Sequence, residues 1–311
     1  MKQGFETTRR QHYVWRKYLE PWTADGKLWC LRTGNIAPFH TNPINVAVER
    51  DFYKLHPLEP NDLEFIRRVS IQPIKNDTLR ELNEGWLQQF KLLTALVELV
   101  RKNDKLSSAF QSDVDGLLIE LEEKTQMRLE HGVSTYLDQL LAGDTSFFEN
   151  DKSATEFCVF VAYQYFRTKA RKEAVLNQFD GKDQVLMRRC WPVLMHVFAT
   201  NVGHSIFVRR KTERLVLISN ESSVEFITGD QPVLNTYAAH VSPLDGVEKV
   251  EFYYPISPTK AVIFTDSNVH LASETAGIGS FRATYFNQLV ERCSNELLFA
   301  RHRAALPERS L

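Results

Sequence analysis

The sequence predicts an α+β fold, with a central helical layer and an antiparallel sheet built mostly from the C-terminal third. Apolar residues recur at spacings of three and four from Asn76 to about residue 205, which is typical of amphipathic helices. After Ile206 the period shortens, and strand-like runs follow one another through short links. Short links favour antiparallel pairing over βαβ units.

The chain of 311 residues is long enough for one large domain or two average ones. It contains no internal repeat, no low-complexity tract and no obvious linker. We therefore expect a single α+β domain over residues 1–311. The alternative is a division into a helical subdomain, 76–205, and a mainly β subdomain formed by 1–75 and 206–311.

The first two helices of the central layer are marked by apolar stripes. Apolar residues at spacings of three and four predict a helix over residues 77–102. A second helix follows Ser108, and Gly132 is expected to interrupt it. Its predicted apolar stripe consists of Phe110, Val114, Leu117, Leu118, Leu121 and Met127. The charged residues of both helices are assigned to solvated faces.

Three later segments also have helical character. Residues 154–176 are predicted to form one helix, apolar nearly all round in its first half and therefore central in the layer. A further helix over 183–202 is predicted to end at Gly203. Residues 281–300 are predicted to close the chain as a helix with one apolar face.

The strand candidates come from both ends of the chain. Residues 27–32 alternate well enough for one strand near the N-terminus. The C-terminal candidates are 206–209, 214–219, 224–228, 250–254 and 261–265. They are separated by segments rich in Asn, Ser, Gly and Pro, which favour turns.

Composition excludes several classes of protein. The formal net charge of −1 argues against a general nucleic-acid coat or a polybasic membrane binder, although it allows a local basic groove. The four cysteines are scattered and form no C-x-x-C pair, so we interpret them as reduced structural residues. The start lacks a signal-peptide core, and no run approaches eighteen apolar residues. We therefore expect a cytoplasmic protein with no membrane segment.

Residues 9–22 stand out because they combine four cations, one imidazole and four aromatic rings near a terminus, where most domains fray. Such a segment is expected to dock into the body of the protein and to bring His12 with it. Since an imidazole titrates near neutral pH, His12 is a candidate general acid or base. The alternative is a hydrogen-bonded structural histidine.

Asp230 is the second candidate catalytic residue. It lies at the end of a β-like run, in the sequence Thr-Gly-Asp-Gln-Pro, and carboxylates at strand ends often project into a cleft. Asp230 would orient His12 or bind a metal ion. The alternative is a turn in which its carboxylate accepts hydrogen bonds from nearby backbone amides.

The candidate substrate-binding residues are Gln164, Arg167 and Asn287. Gln164 and Arg167 lie on one face of the helix predicted over 154–176. A guanidinium can bind a phosphate or a carboxylate through two hydrogen bonds. The alternative for Arg167 is a buried strut that pairs with an acidic side chain and joins the helical layer to the sheet.

Local basic groups suggest an anionic partner. The groups are Arg9/Arg10/Arg16/Lys17, Arg167/Lys169/Arg171/Lys172 and Arg209/Arg210/Lys211/Arg214. If they converge, they form a groove for a phosphate-containing ligand or nucleic acid, with nearby tryptophans and tyrosines as stacking surfaces. Taken singly, each is an ordinary solvated face.

Several familiar signatures are absent from the sequence. It contains no G-x-x-x-x-G-K-[ST], G-x-G-x-x-G, G-x-S-x-G or H-E-x-x-H. The nine histidines are dispersed, so spacing predicts no metal site. The cofactor and the oligomeric state are left unknown by the sequence.

Three separated motifs nevertheless resemble an uncharacterised, mainly bacterial family catalogued as domain of unknown function 4238. Residues 11–14 and 18–19 resemble the family motif QHYVPQ-x-YL. Residues 164–168 resemble the family motif Q-x-x-RT. Residues 228–232 resemble [TS]-S-D-x-P, and residues 255–258 resemble the P-[IL]-S-P that follows it in the family. Asn287 matches an asparagine of the family's last helix. The chain differs in having Trp15, Trp22 and Gly229 where the family has proline, phenylalanine and serine. The resemblance implies no established activity.

Two functions are compatible with these residues. The first is a hydrolase that acts on a phosphate-containing substrate, including nucleic acid in a bacterial defence or toxin setting, with His12 as acid or base. The second is a non-catalytic module that binds a small anionic ligand or a partner protein, with the same polar residues as a buried structural network. In both, the three motifs are expected to meet in space.

Overall fold

The structure is a computed structural model that describes residues 8–103, 108–238, 247, 249–267 and 277–308. The helices are α1 (Arg16–Leu19), α2 (Pro60–Ile66), α3 (Asp77–Arg101), α4 (Ser108–Ala142), α5 (Asp151–Phe166), α6 (Lys169–Leu176), α7 (Gly181–Arg209) and α8 (Ser280–Cys293). The strands are β1 (Arg10–His12), β2 (Leu28–Arg32), β3 (Phe39–Thr41), β4 (Val48–Arg50), β5 (Arg214–Ser219), β6 (Thr228–Gly229), β7 (Leu234–Asn235), β8 (Phe252–Ser257), β9 (Lys260–Thr265) and β10 (Leu297–Ala300).

The strands within the described residues form three antiparallel sheets. One four-stranded sheet has the order β5-β9-β8-β7 and comes entirely from the C-terminal third. A second has the order β3-β2-β10-β6 and joins strands from both ends of the chain. β1 and β4 pair in a small two-stranded sheet. The α+β class predicted from the sequence is confirmed.

Helices α5 and α7 pack directly on each other at the centre of the helical layer. A Cβ atom on Gly203 would lie 2.5 Å from the Cα of Val159, so glycine is needed for this close approach. Gly203 therefore serves packing and does not end the helix, which continues to Arg209. The helix end predicted at Gly203 and the strand predicted over 206–209 are wrong.

Helix α4 also differs from expectation. It runs without a break past Gly132. Three residues of its predicted apolar stripe, Phe110, Leu121 and Met127, are exposed, whereas Glu122 and Gln126 are buried. The face of α4 that meets the core is therefore partly polar, and that part of the predicted stripe is wrong.

Two predicted helices are shorter than expected. The segment 154–176 is divided between α5 and α6, because Thr168 caps α6 by accepting a 3.4 Å hydrogen bond from the Arg171 amide. The last helix ends at Cys293, and residues 297–300 form β10. Of the segment 224–228, only Thr228 belongs to a strand.

The core is rich in large aromatic side chains. Trp22, Tyr18, Tyr163 and Phe157 are among the largest fully buried groups. Each side chain of this size stabilises the fold by roughly 1.5–3 kcal/mol through burial. No helix within the described ranges is both long enough and apolar enough to span a bilayer.

Candidate functional site

His12 lies at the end of β1, beside the loop that contains Ile44. Its Nε2 atom is 3.2 Å from the Ile44 carbonyl oxygen. Because a carbonyl only accepts, Nε2 carries a proton in the neutral ring and Nδ1 is left as a hydrogen-bond acceptor. The imidazole is only partly buried, so it remains accessible.

Arg167, the residue that follows α5, fixes the backbone at His12. Its Nη2 donates to the His12 carbonyl at 3.0 Å, and its Nε donates to the Tyr53 hydroxyl at 2.9 Å. Its Nη1 forms an ion pair with Glu130 on α4. Only 3% of the surface of Arg167 is exposed, and each of its side-chain nitrogens bonds a group of the protein. These contacts fit the alternative interpretation of Arg167 as a buried strut.

Asp230 follows β6 and is 1% exposed. Its Oδ1 accepts from the Asn295 amide at 2.8 Å, and its Oδ2 accepts from the Glu296 and Leu297 amides at 2.7 and 3.2 Å. Burial raises the pKa of Asp230 to about 6, and the three N–H bonds oppose this rise. These bonds occupy amides that a longer α8 would use, which explains why that helix ends at Cys293.

Of the remaining two candidates, one is buried and the other is partly buried. Gln164 is buried within α5. The Asn287 amide on α8 accepts from the Ile227 amide at 3.0 Å and donates to the Glu225 carbonyl at 2.8 Å. Asn287 thereby ties α8 to the segment before β6. The substrate-binding roles given to Gln164, Arg167 and Asn287 and the catalytic role given to Asp230 stay predictions.

The three sequence motifs contact one another through buried polar atoms. Tyr18 of the first motif donates to the Pro255 carbonyl at 2.6 Å and is hydrogen-bonded to Thr228 of the third. Thr168 of the second motif donates to Gln231 of the third. Since His12 and Arg167 are bonded as well, the motifs form one continuous framework.

Within that framework, His12 opens onto a groove of about 490 Å³. Arg10 and Arg16 line it with exposed guanidinium groups, and Arg167 lies in its wall. Glu123 and Glu130 enter it from α4. Gln164, Asp230 and Asn287 are not among the groove residues, so the structure brings His12 together with Arg167 but not with those three side chains.

Burial and the charges around His12 favour the neutral form of its ring. Burial lowers the pKa of His12, and the positive charges of Arg16, Arg10 and Arg167 lower it further. Burial raises the pKa of Glu123, and the neighbouring Glu130 carboxylate adds to that rise. The groove therefore combines a neutral imidazole with a carboxyl group that retains its proton to a higher pH than usual.

Other predicted basic positions are engaged at the surface. Arg9 pairs with Asp51, and Arg210 pairs with Asp151. Lys169 is 2.7 Å from Glu296. The three basic groups thus contribute only Arg10, Arg16 and Arg167 to the groove. Within the ranges that the structure describes, no group of three or more His, Cys, Asp or Glu side chains is placed to hold a metal ion.

Comparison with known families identifies the chain. The family model described as "Protein of unknown function (DUF4238)" matches residues 10–304. The chain belongs to this family. No curated protein and no solved structure matches the chain.

A buried polar network on α4 and α7 lies outside the DUF4238 motifs, and sequence reasoning missed it. His196 Nε2 is 2.8 Å from a Glu122 carboxylate oxygen, and His196 Nδ1 is 2.5 Å from the Tyr163 hydroxyl. Gln126 donates to the same carboxylate at 2.7 Å. The spacing of Glu122, Gln126 and Glu130, four residues apart, is the sequence signal that would have revealed this inward polar face.

Proposed function

We propose that this DUF4238 protein is a hydrolase that cleaves a phosphate ester bound in the groove beside His12. The observation that carries the proposal is the accessible imidazole of His12 in a groove that Arg10 and Arg16 also line. Its Nε2 proton is bound by the Ile44 carbonyl, and its Nδ1 is left as an acceptor. Such a group can remove a proton from water at neutral pH.

Arg10 and Arg16 supply the binding charge for the substrate. Both guanidinium groups line the groove, and neither makes an ion pair within the described part of the chain. An arginine presents paired N–H donors that match two phosphate oxygens. A phosphate bound by these arginines would lie in the same groove as the His12 ring.

The chemical step uses two groups of the groove. His12 Nδ1 takes a proton from water, the water oxygen forms a bond to phosphorus, and the bond from phosphorus to the leaving oxygen breaks. Glu123, whose pKa burial raises, gives its proton to the leaving alkoxide. Arg167 and the Ile44 carbonyl are positioning groups, since they hold the backbone and the ring of His12.

A non-catalytic module that binds a small anionic ligand is the second candidate. The observation that favours it is that Arg167, Asp230 and Asn287 each bond groups of the protein itself. In that case the same two arginines would bind the anion, and His12 would only donate or accept a hydrogen bond.

Turnover of model esters separates the two candidates. We would compare wild type with His12→Gln on bis(4-nitrophenyl) phosphate and 4-nitrophenyl phosphate, with exposed His131→Gln on α4 as the matched control. Loss of a general base is expected to reduce kcat by roughly 10²–10⁴-fold. Equal turnover in His12→Gln and wild type would remove the catalytic role, and saturable phosphate binding without turnover would leave the binding module.

A further inference from the structure

A second cavity lies on the other side of Arg167 and Tyr53, which border both spaces. It has a volume of about 160 Å³ and lies between the segment after β4 and the helices α6 and α7. We call it the cationic cavity and define it by four of its lining residues: Lys54, His56, Lys172 and Arg188.

The basic side chains of the cationic cavity have no acidic partner of their own. Within the part of the chain that the structure describes, none of the four lies within ion-pairing distance of a carboxylate. Lys172 has a weak 3.5 Å contact to the Phe52 carbonyl, and its Nζ is 4.8 Å from the centre of the Phe52 ring. Glu49 and Glu173 act on Lys172 only at longer range.

The two carboxylates in the cavity wall each bond a residue other than the four basic residues of the cavity. Asp51 pairs with Arg9, and Glu122 is 2.8 Å from His196 Nε2. The space therefore has excess positive charge. In agreement, burial and the neighbouring cations lower the pKa of His56, and burial lowers the pKa of Lys172. A bound anion would relieve both the repulsion and the desolvation.

The size of the cavity restricts the ligand. A volume of 160 Å³ corresponds to about five water molecules at roughly 30 Å³ each. Sites for drug-sized ligands enclose roughly 300–1,000 Å³, so the volume of this cavity suits a smaller group. Trp191 and Met195 give one side of the cavity an apolar wall, which suits a short carbon chain.

We propose that the cationic cavity binds the phosphoryl group of a small phosphorylated compound. A dianionic phosphoryl group has enough oxygens to accept from lysine, arginine and imidazole donors at once, whereas a carboxylate has only two. The Glu122 carboxylate would repel a second anionic group and accept from a ligand hydroxyl. This site is separate from the His12 groove and does not depend on the proposed hydrolysis.

Calorimetric titration of the full chain with inorganic phosphate, glycerol 3-phosphate and succinate tests the proposal. The variant Lys172→Gln/Arg188→Gln removes two cations from the cavity. Arg10→Gln/Arg16→Gln removes two from the His12 groove. A third variant, Lys91→Gln/Lys182→Gln, removes two exposed surface charges and controls for net charge.

We expect saturable binding of phosphate, and tighter binding of glycerol 3-phosphate if the natural ligand is an ester and not the free ion. Removing the cavity cations should weaken phosphate binding at the cavity about tenfold or more, with no such loss in the surface variant. The groove variant should lose only the separate binding of phosphate to the His12 groove and should keep binding to the cavity. The proposal is overturned if wild type does not bind phosphate, if only the groove variant loses affinity, or if the surface variant loses as much. Succinate that binds as well as phosphate would overturn the preference for a phosphoryl group.

A second measurement does not depend on how the cavity variant folds. In wild type, bound phosphate should raise the pKa of His56, which can be followed by NMR of its ring protons. The ring of exposed His131 serves as the reference. A His56 titration curve that is unchanged by saturating phosphate would contradict binding in this cavity.

Discussion

Replacing Arg167 by methionine tests whether the framework of motifs depends on a buried ion pair. The substitution leaves the Glu130 carboxylate, only 12% exposed, without its cation. It also removes the donors to the Tyr53 hydroxyl and the His12 carbonyl. Breaking a buried pair by removing one partner typically costs about 3–5 kcal/mol, so Arg167→Met should lose that much free energy of unfolding at neutral pH.

The loss should be recovered in two ways. Arg167→Met/Glu130→Gln removes the unpaired charge and should regain most of the loss. Lower pH should act similarly, because burial already raises the pKa of Glu130 above its unfolded value. A raised carboxyl pKa gives stability that is present below the unfolded pKa, about 4.3, and is lost as pH rises through the folded pKa. Arg167→Met should therefore gain stability relative to wild type on acidification.

Urea unfolding followed by circular dichroism from neutral pH down to about pH 4.5, just above the unfolded carboxyl pKa, provides the measurement. Exposed Arg128→Met on α4 is the matched control, and it should change stability by no more than about 0.5 kcal/mol. The reasoning is refuted if Arg167→Met lies within about 1 kcal/mol of wild type at neutral pH, well below the range for a broken buried pair. It is also refuted if Glu130→Gln brings no recovery.

Two further substitutions test the packing of the fold by the same unfolding assay. Asp230→Asn should lower the free energy of unfolding by about 1–3 kcal/mol, because an amide cannot accept from all three backbone N–H groups. Asp113→Asn, at an exposed position, is the control and should leave the free energy of unfolding unchanged. Equal effects of the two substitutions would contradict the role of Asp230 as an acceptor for these N–H groups. Gly203→Ala should cost about 1–3 kcal/mol because its Cβ would meet Val159, whereas Gly132→Ala, with open space around it, should stabilise by about 0.5–1 kcal/mol. If Gly203→Ala left the free energy of unfolding unchanged, the result would show that α5 and α7 can move apart.

The elements that sequence predicted well are those whose own periodicity decides their structure. Helix α3 begins and ends within a residue of the prediction because its apolar stripe is a local pattern. The strands near 214–219 and 261–265 are likewise confirmed. The end of α7 was mispredicted because the role of Gly203 depends on Val159 of another helix, which no local pattern shows.

In the candidate site, too, the sequence indicated the residues but not their contacts with distant parts of the chain. Sequence reasoning singled out His12, Arg167 and Asp230 by residue type and position. It did not show that Asp230 binds amides 65 or more residues away in β10 and the turn before it, because nothing local specifies that pairing. Glu123 and Glu130 were assigned to a solvated face, since charge alone does not reveal which side of a helix meets the core.

The pH dependence of kcat/KM for phosphate-ester hydrolysis by wild type is the most direct test of His12 as general base. Because burial and the adjacent arginines lower the pKa of His12, the acid limb should fall below the ordinary imidazole value of about 6.5. His12→Gln should remove that limb along with most of the activity. An unchanged acid limb in His12→Gln, or wild type without turnover, would contradict the proposed hydrolase.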